Sequence, residues 1–243
     1  MKSIWTITKR ELAGYFNSPV AYVFLVIFLL MTGAFTFLIG QFMDRNQATL
    51  QAFFMWHPWI YLFLVPAVGM RLWSEERRLG TMELLLTMPI SLWHCIIGKV
   101  LASWLFLTLA LVMTFPIWIT VNYLGDPDNT VIVASYIGSF FLAGAYLSIT
   151  SMTSAFTRNQ VISFILSVVI CLFLVLCGWP PVTDVVEPLA PRWIVEFVAA
   201  SSVMTNVEQF NNGQIDSRAV IYFLSVIGFP LFATSVIIRG LRA

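Results

Sequence analysis

SEERRLGTMELLLTMPIS, residues 74–91, decides how the rest of this chain is read. It lies between two long apolar runs and, with Arg71 just ahead of it, holds the densest charge in the sequence: Arg71, Glu75, Glu76, Arg77, Arg78 and Glu83. An ion left in hydrocarbon costs ~2.5–3.5 kcal/mol or more, so the segment must be a polar loop between two membrane spans. It also carries helix punctuation. Thr81 can cap an N-terminus, and Glu83 then falls in the first turn, where a carboxylate suits the helix dipole. Pro89 pushes Met88 out of the α region and ends the helix; Ser91 can cap the next one. The outcome is a short helix over 82–87 that presents Leu84, Leu85 and Leu86 at a water surface. A mere connector has no use for leucines there, whereas a docking surface for another protein does. The plainer reading is a solvated loop whose charges mark the cytoplasmic side.

Working outward, only 10% of the 243 residues are charged and 59% are hydrophobic, where soluble domains carry roughly 25% charge. The chain therefore reads as an all-α, polytopic membrane protein, a single transmembrane domain over residues 1–243. A net charge of +1 offers no basic patch for nucleic acid. Cys171 and Cys177 are six residues apart and so on different helix faces, and no cysteine spacing suggests a disulfide framework or a metal site. His57 and His94 sit near opposite ends of different spans and cannot share a metal.

Residues 1–17 read as an amphipathic helix lying in the interface plane, with Ile4, Trp5, Ile7, Leu12, Tyr15 and Phe16 to one side and Lys2, Ser3, Thr6, Lys9 and Arg10 opposite. Glu11 projects near the apolar side, to meet a cation or to sit at the boundary. Six spans follow, at about 20–40, 56–70, 92–123, 131–156, 161–178 and 219–238. Pro116 can kink the third near its outer end. The fourth is rich in small and hydroxyl residues, which let helices approach closely in lipid, so it is a packing helix or the lining of a pathway. GDPDN, residues 125–129, is a turn. Residues 182–216 hold too many charges for a span yet keep an apolar helical pattern. They read as a partly embedded external helix or a re-entrant pair, with Pro191 at a first helical position and Asn211-Asn212-Gly213 as a stop. Asp216 or Ser217 caps the last span.

Ten of the thirteen basic residues fall at the two termini, the central loop with the start of span three, and the break at Arg158. The positive-inside rule then places both termini and residues 74–91 in the cytoplasm. Residues 46–70, 100–125, 129–157 and 159–183 contain no Asp, Glu, Lys or Arg. Ion- and proton-coupled transporters usually hold such groups inside the membrane, so secondary transport is disfavoured. Gly98-Lys99 falls short of a phosphate-binding loop, because Trp93 and Val100 stand where that loop needs Gly and Ser or Thr. Lys99 reads instead as snorkelling to the cytoplasm. With no catalytic grouping of its own, the chain would draw its energy from a partner.

Three stretches carry a resemblance: TITKRELAGYFNSPVAYVFLVIFLLMTGAF (6–35), RLWSEERRLGTMELLLTMPISLWHCIIGKVL (71–101) and NNGQIDSRAVIYFLSV (211–226). They resemble the permease subunit of ABC-2 type transporters, in the branch that includes gliding-motility and nitrous-oxide-reductase maturation permeases. The resemblance implies a six-span permease of a bacterial inner membrane, an ATP-driven exporter. It implies an N-terminal interfacial helix bearing Trp5, Lys9, Arg10 and Glu11, and external helices before the last span. It implies a coupling element at Glu75, Glu76, Arg77, Gly80, Thr81, Glu83, Leu84 and Leu85. Its partners would be a second permease copy, identical or related, a dimer of cytoplasmic ABC ATPase subunits that binds the ATP and Mg, membrane lipid, and in some systems an extracytoplasmic subunit. This chain would bind no cofactor and catalyse nothing. The competing reading is a membrane scaffold or assembly subunit that transports nothing.

Overall fold

The computed structural model describes residues 2–43, 47–82, 91–179, 181–183, 191, 198 and 200–240. Among these the chain is predominantly helical, with no strand. The helices in order are α1 (Lys2–Phe16), α2 (Pro19–Ala34, continued by a π turn over Phe35–Ile39), α3 (Gln51–Phe54), α4 (His57–Gly69) and α5 (Ser74–Leu79). They are followed by α6 (Leu92–Val112), α7 (Phe115–Leu124), α8 (Asn129–Phe156), α9 (Gln160–Leu176), α10 (Val203–Asn211) and α11 (Ser217–Gly240). Five stretches are long and apolar enough to cross a membrane: 19–39, 51–79, 92–124, 129–156 and 217–240. The expected fifth span of 161–178 is a shorter apolar helix, the 17 residues of α9.

Helix α8 is the centre of the bundle. It packs against α11, α9, α4, α10 and α6, and 72% of its most apolar window is buried, against 22% for α2. Its small residues make this possible. A methyl group on Gly144 would come within 2.5 Å of the Trp104 ring on α6, and one on Gly138 within 2.7 Å of Phe210 on α10. Of the two roles left open for this segment, packing is the one that the contacts show. In lipid, where apolar surface gains little by pairing, such close approach and interhelical hydrogen bonds hold helices together.

Local chemistry fixes several boundaries. Asp128 caps α8 by accepting from the Thr130 N–H at 2.9 Å, and Asn159 caps α9 through Val161. Asp216 is the cap of α11, its carboxylate accepting from the Arg218 N–H at 3.0 Å. The long third span breaks at Met113-Thr114, with Pro116 in the first turn of α7. Helix α10 stops at Asn211, and Gly213 takes the left-handed conformation at φ +76°. Ser91 occupies the cap position of α6, but its hydroxyl makes no capping bond; its carbonyl accepts from His94 and Cys95 instead.

His57 opens α4 in full burial. Its Nδ1 lies 2.9 Å from Ser139 Oγ on α8. The rings of Phe53, Phe54, Phe28 and Tyr61 surround it. His94 is half-buried on α6, so the two histidines are parts of separate elements, as their sequence positions required.

Candidate functional site

The densest polar construction lies where α4 gives way to α5. Helix α4 ends at Gly69, and Met70–Trp73 turn the chain before α5 begins. Any helix start leaves N–H groups without intrahelical partners. Here they are met from outside: the backbone N–H groups of Trp73 and Ser74 both donate to Ser154 Oγ on α8, each at 3.0 Å. The Ser154 hydroxyl in turn donates to the Met70 carbonyl at 2.9 Å. The Trp73 indole N–H donates to Ser151 Oγ at 3.0 Å, one turn earlier on α8. Arg77 donates to the Ala155 carbonyl, again on α8. A six-residue helix that would fray alone is thereby clamped to the end of the central helix.

Its far end is closed by Gly80, which takes φ +72°, where a side chain would be strained. The N–H groups of Gly80 and Thr81 both return to the Glu76 carbonyl. The Thr81 hydroxyl also turns back to that carbonyl, at 3.4 Å. Met82 beyond it is buried among the core residues. Glu83, Leu84 and Leu85, three of the predicted coupling residues, lie outside the described residues.

The acidic first turn of α5 holds the second half of the site. Lys99 Nζ on α6 lies 2.9 Å from Glu76 Oε1 and 3.5 Å from Glu11 Oε2 on α1. It also sits 5.5 Å above the Trp73 ring. Glu11 accepts from Arg10 at 2.8 Å. Charges of alternating sign thus run Arg10, Glu11, Lys99, Glu76 across three helices. The Lys99 side chain is only 6% exposed, so the expected snorkelling does not occur. Two carboxylates reach the ammonium inside the protein, so its stem need not extend to water. Of the two readings of Glu11, a cationic partner or a place at the boundary, the structure shows the cationic partner. The hydrogen bond to Glu11 pushes the Arg10 pKa above its ordinary value.

Helix α1 is held against α6 by more than charge. Gly98 admits Ile7 so closely that a methyl group there would meet it at 2.8 Å. Thr8 Oγ1 donates to the Gly98 carbonyl at 3.2 Å, and Tyr15 OH pairs with Ser103 Oγ at 2.8 Å. Trp5 departs from the predicted apolar side of α1. It is 56% exposed, with the Lys9 ammonium 5.5 Å over its ring, because Ile7, Leu12, Tyr15 and Phe16 suffice to fill the groove against the bundle. Glu75 faces outward and lies 3.9 Å from Arg78, an exposed pair of small energetic weight.

The structure therefore joins Glu76, Glu11, Lys99, Trp73 and Arg77 with the end of α8, and leaves Glu75, Arg78, Trp5 and Lys9 at the surface. The pairing of Ser151 and Ser154 with Trp73 was not foreseen. Its only trace in the sequence is the hydroxyl spacing Ser148, Ser151, Ser154 along one face of α8. Among the described residues, no three of His, Cys, Asp or Glu gather in a way that could hold a metal ion. The arrangement ties α5 to α1, α6 and α8 at the same time.

Residues 60–210 match the family model described as ABC-2 family transporter protein. The matched stretch runs from within α4 through α10 and takes in α5, Lys99 and the serines of α8. No curated protein matches the chain.

Proposed function

The chain belongs to the ABC-2 family of transporter proteins, and from that premise we propose that α5 and the residues following it form the element through which this permease receives the work of its ATPase. Membership makes the chain the multi-pass membrane component of an ABC transporter, a permease that works with an ABC ATPase. The proposal adds where and how the two meet. The ATPase, which would bind the ATP and Mg, receives the 74–91 segment in a surface cleft, with Leu84 and Leu85 as apolar anchors. Burial of each leucine would contribute ~1.5–3 kcal/mol. Glu75 and Glu83 would set register against basic groups of the partner more than affinity.

One observation carries the reading. Helix α5 is bonded simultaneously to α8 through Trp73, Ser74 and Arg77, and to α6 and α1 through Glu76. A solvated marker loop has no need of such fixation, whereas an element that passes on a push does. In this reading both termini are cytoplasmic, α9 is the fifth of six spans and α10 belongs to the external face. Two permease chains pair to enclose the pathway, and the direction of transport is outward. The stretches at 6–35, 71–101 and 211–226 favour the gliding-motility and nitrous-oxide-reductase maturation branch.

The test is co-purification of the ATPase with variants of the permease. Replacing Leu84 and Leu85 together by Asp should abolish the complex while membrane insertion stays normal. Lys99→Met should keep the ATPase bound but lower the transport obtained per ATP hydrolysed. A Leu84/Leu85 double variant that inserts normally and holds its ATPase with unchanged stoichiometry would remove this segment as the docking element. It would also return the scaffold reading to contention if no ATPase accompanied the wild-type chain.

A further inference from the structure

We propose that Arg158, in the short connection between α8 and α9, is a second contact for the ATPase and meets an acidic group on it. The proposal rests on the docking reading above and extends it to a residue outside the 74–91 segment. Arg77 on α5 donates to the carbonyl of Ala155, in the last turn of α8. Arg158 follows three positions later, beyond the end of that helix and just ahead of Asn159, which caps α9. The connection is thus fixed at both ends and tied to α5. Arg158 is exposed, and its charge acts on the Arg77 guanidinium. Two cations are held near each other by rigid elements.

The carboxylates that this face could offer are engaged elsewhere. Among the described residues Glu75 pairs with Arg78, Glu76 with Lys99, and Glu11 with Arg10 and Lys99, whereas neither Arg77 nor Arg158 belongs to an ion pair. Arg77 has a partner of another kind, a carbonyl at the C-terminal end of α8, where the helix dipole favours a cation. Arg158 has no such bond among the described residues. The positive-inside rule accounts for its side of the membrane, but Coulomb repulsion opposes its place beside a like charge. An anion from outside the chain would remove that repulsion. Continuity says which anion. Helix α5 leads through Gly80 into the residues assigned to the ATPase cleft, so a partner seated there covers the exposed side of α5 and, with it, the connection that Arg77 holds. Leu79, the last residue of α5, is 64% exposed. A protein surface would cover that leucine, and a lipid phosphate would not. The planar guanidinium of Arg158 can then present two parallel N–H groups to a carboxylate.

The experiment is co-purification of the full permease with its ATPase, at low and at high salt, in detergent and in phosphatidylglycerol nanodiscs. At low salt Arg158→Glu should retain about tenfold less ATPase than the wild type, since a like charge then faces the acidic group. Arg158→Gln should lose less, and its complex should be less sensitive to salt than that of the wild type. In thermal unfolding of the permease alone neither variant should melt below the wild type, because each removes a cation from beside Arg77. A loss of binding is then not a loss of fold. Wild-type retention of the ATPase by Arg158→Glu, while the double replacement of Leu84 and Leu85 by Asp releases it, would overturn this proposal and leave the docking reading intact. Loss with Arg158→Glu alone would support the Arg158 contact and remove the leucine anchors. Restored binding on adding Glu83→Arg to Arg158→Glu would overturn the proposal, by making the counter-charge a residue of this chain. So would a loss seen in the nanodiscs and not in detergent, which would make the anion a lipid phosphate.

Discussion

The ammonium of Lys99 lies 2.9 Å from a carboxylate oxygen of Glu76, and the two are separated by the whole of the charged loop that joins their helices. The pair closes that loop at its base. Glu11 shares the same ammonium from a third helix, so loss of the ammonium would leave Glu76 without its cation and Glu11 with Arg10 alone.

Lys99→Met should lower the stability of the purified permease by about 3–5 kcal/mol, because the partly buried Glu76 carboxylate loses its cation and is left beside Glu11. Adding Glu76→Gln should recover most of the loss, since Glu11 still keeps Arg10 at 2.8 Å. Thermal unfolding in detergent reads both. A single Lys99→Met variant that melts with the wild type would mean that the three charges are not coupled.

Ser154→Ala leaves the N–H groups of Trp73 and Ser74 without their acceptor, at ~1–3 kcal/mol for each buried group. The loss is local, and it should appear as faster amide exchange over residues 73–79 with little change in α8. Ser151→Ala removes only the bond from the Trp73 indole, and interhelical bonds in lipid average ~0.6 kcal/mol. Its effect should be much the smaller. Equal protection in all three proteins would show that α5 is held by something else.

Gly144→Leu should be severely destabilising, since even a methyl group there would meet Trp104 at 2.5 Å. Forcing extra bulk into a packed interface typically costs ~1–3 kcal/mol, and a full leucine against an indole belongs at the upper end. Trp104→Ala in the same chain should restore much of the folded fraction by returning the space. Failure of that rescue in a size-exclusion assay would place the damage elsewhere.

Cysteines introduced at Asp126 and at Glu208, both exposed, should react with an impermeant thiol reagent from outside the cell, and one at Thr81 only after the membrane is opened. The native thiols interfere little, as Cys95 and Cys171 are buried and Cys177 half-buried. Labelling of Thr81→Cys in intact cells would invert the proposed topology.

Much of this architecture is legible in the sequence because lipid imposes a simple code. Apolar runs mark the spans, Pro116 marks the break in the third, and Asp128 and Asp216 stand where helices must be capped. Helix α5 over Ser74–Leu79 was not foreseen, since the sequence reading takes those charges as loop and sets its short helix at 82–87, where all but Met82 lie outside the described residues. Lys99 is different. Its stem, its place near a span end and its charge all fit snorkelling, and only the folded chain brings Glu11, 88 positions earlier, to its side. Trp73 is a similar case, since its partners Ser151 and Ser154 are known only once α8 is seen to pass behind it. Glu83, Leu84 and Leu85 remain readings of the sequence alone.

The uneven burial of the spans bears on how the chain is made. The first long helix is the most hydrophobic, with a mean hydropathy of 2.5 in its best window, and it hides only 22% of that window from its surroundings. It emerges from the ribosome before the others and can partition into lipid on its own side chains. The 51–79 stretch is the least hydrophobic at 1.4, with 61% of its window buried, and it brings His57 and Trp73, whose hydrogen bonds are made with α8. During synthesis those polar groups must wait for a helix not yet translated. Biogenesis of this permease therefore divides into an early, self-sufficient insertion and a later docking of polar helices, and a chain truncated before residue 129 should be held by insertion and quality-control factors rather than released.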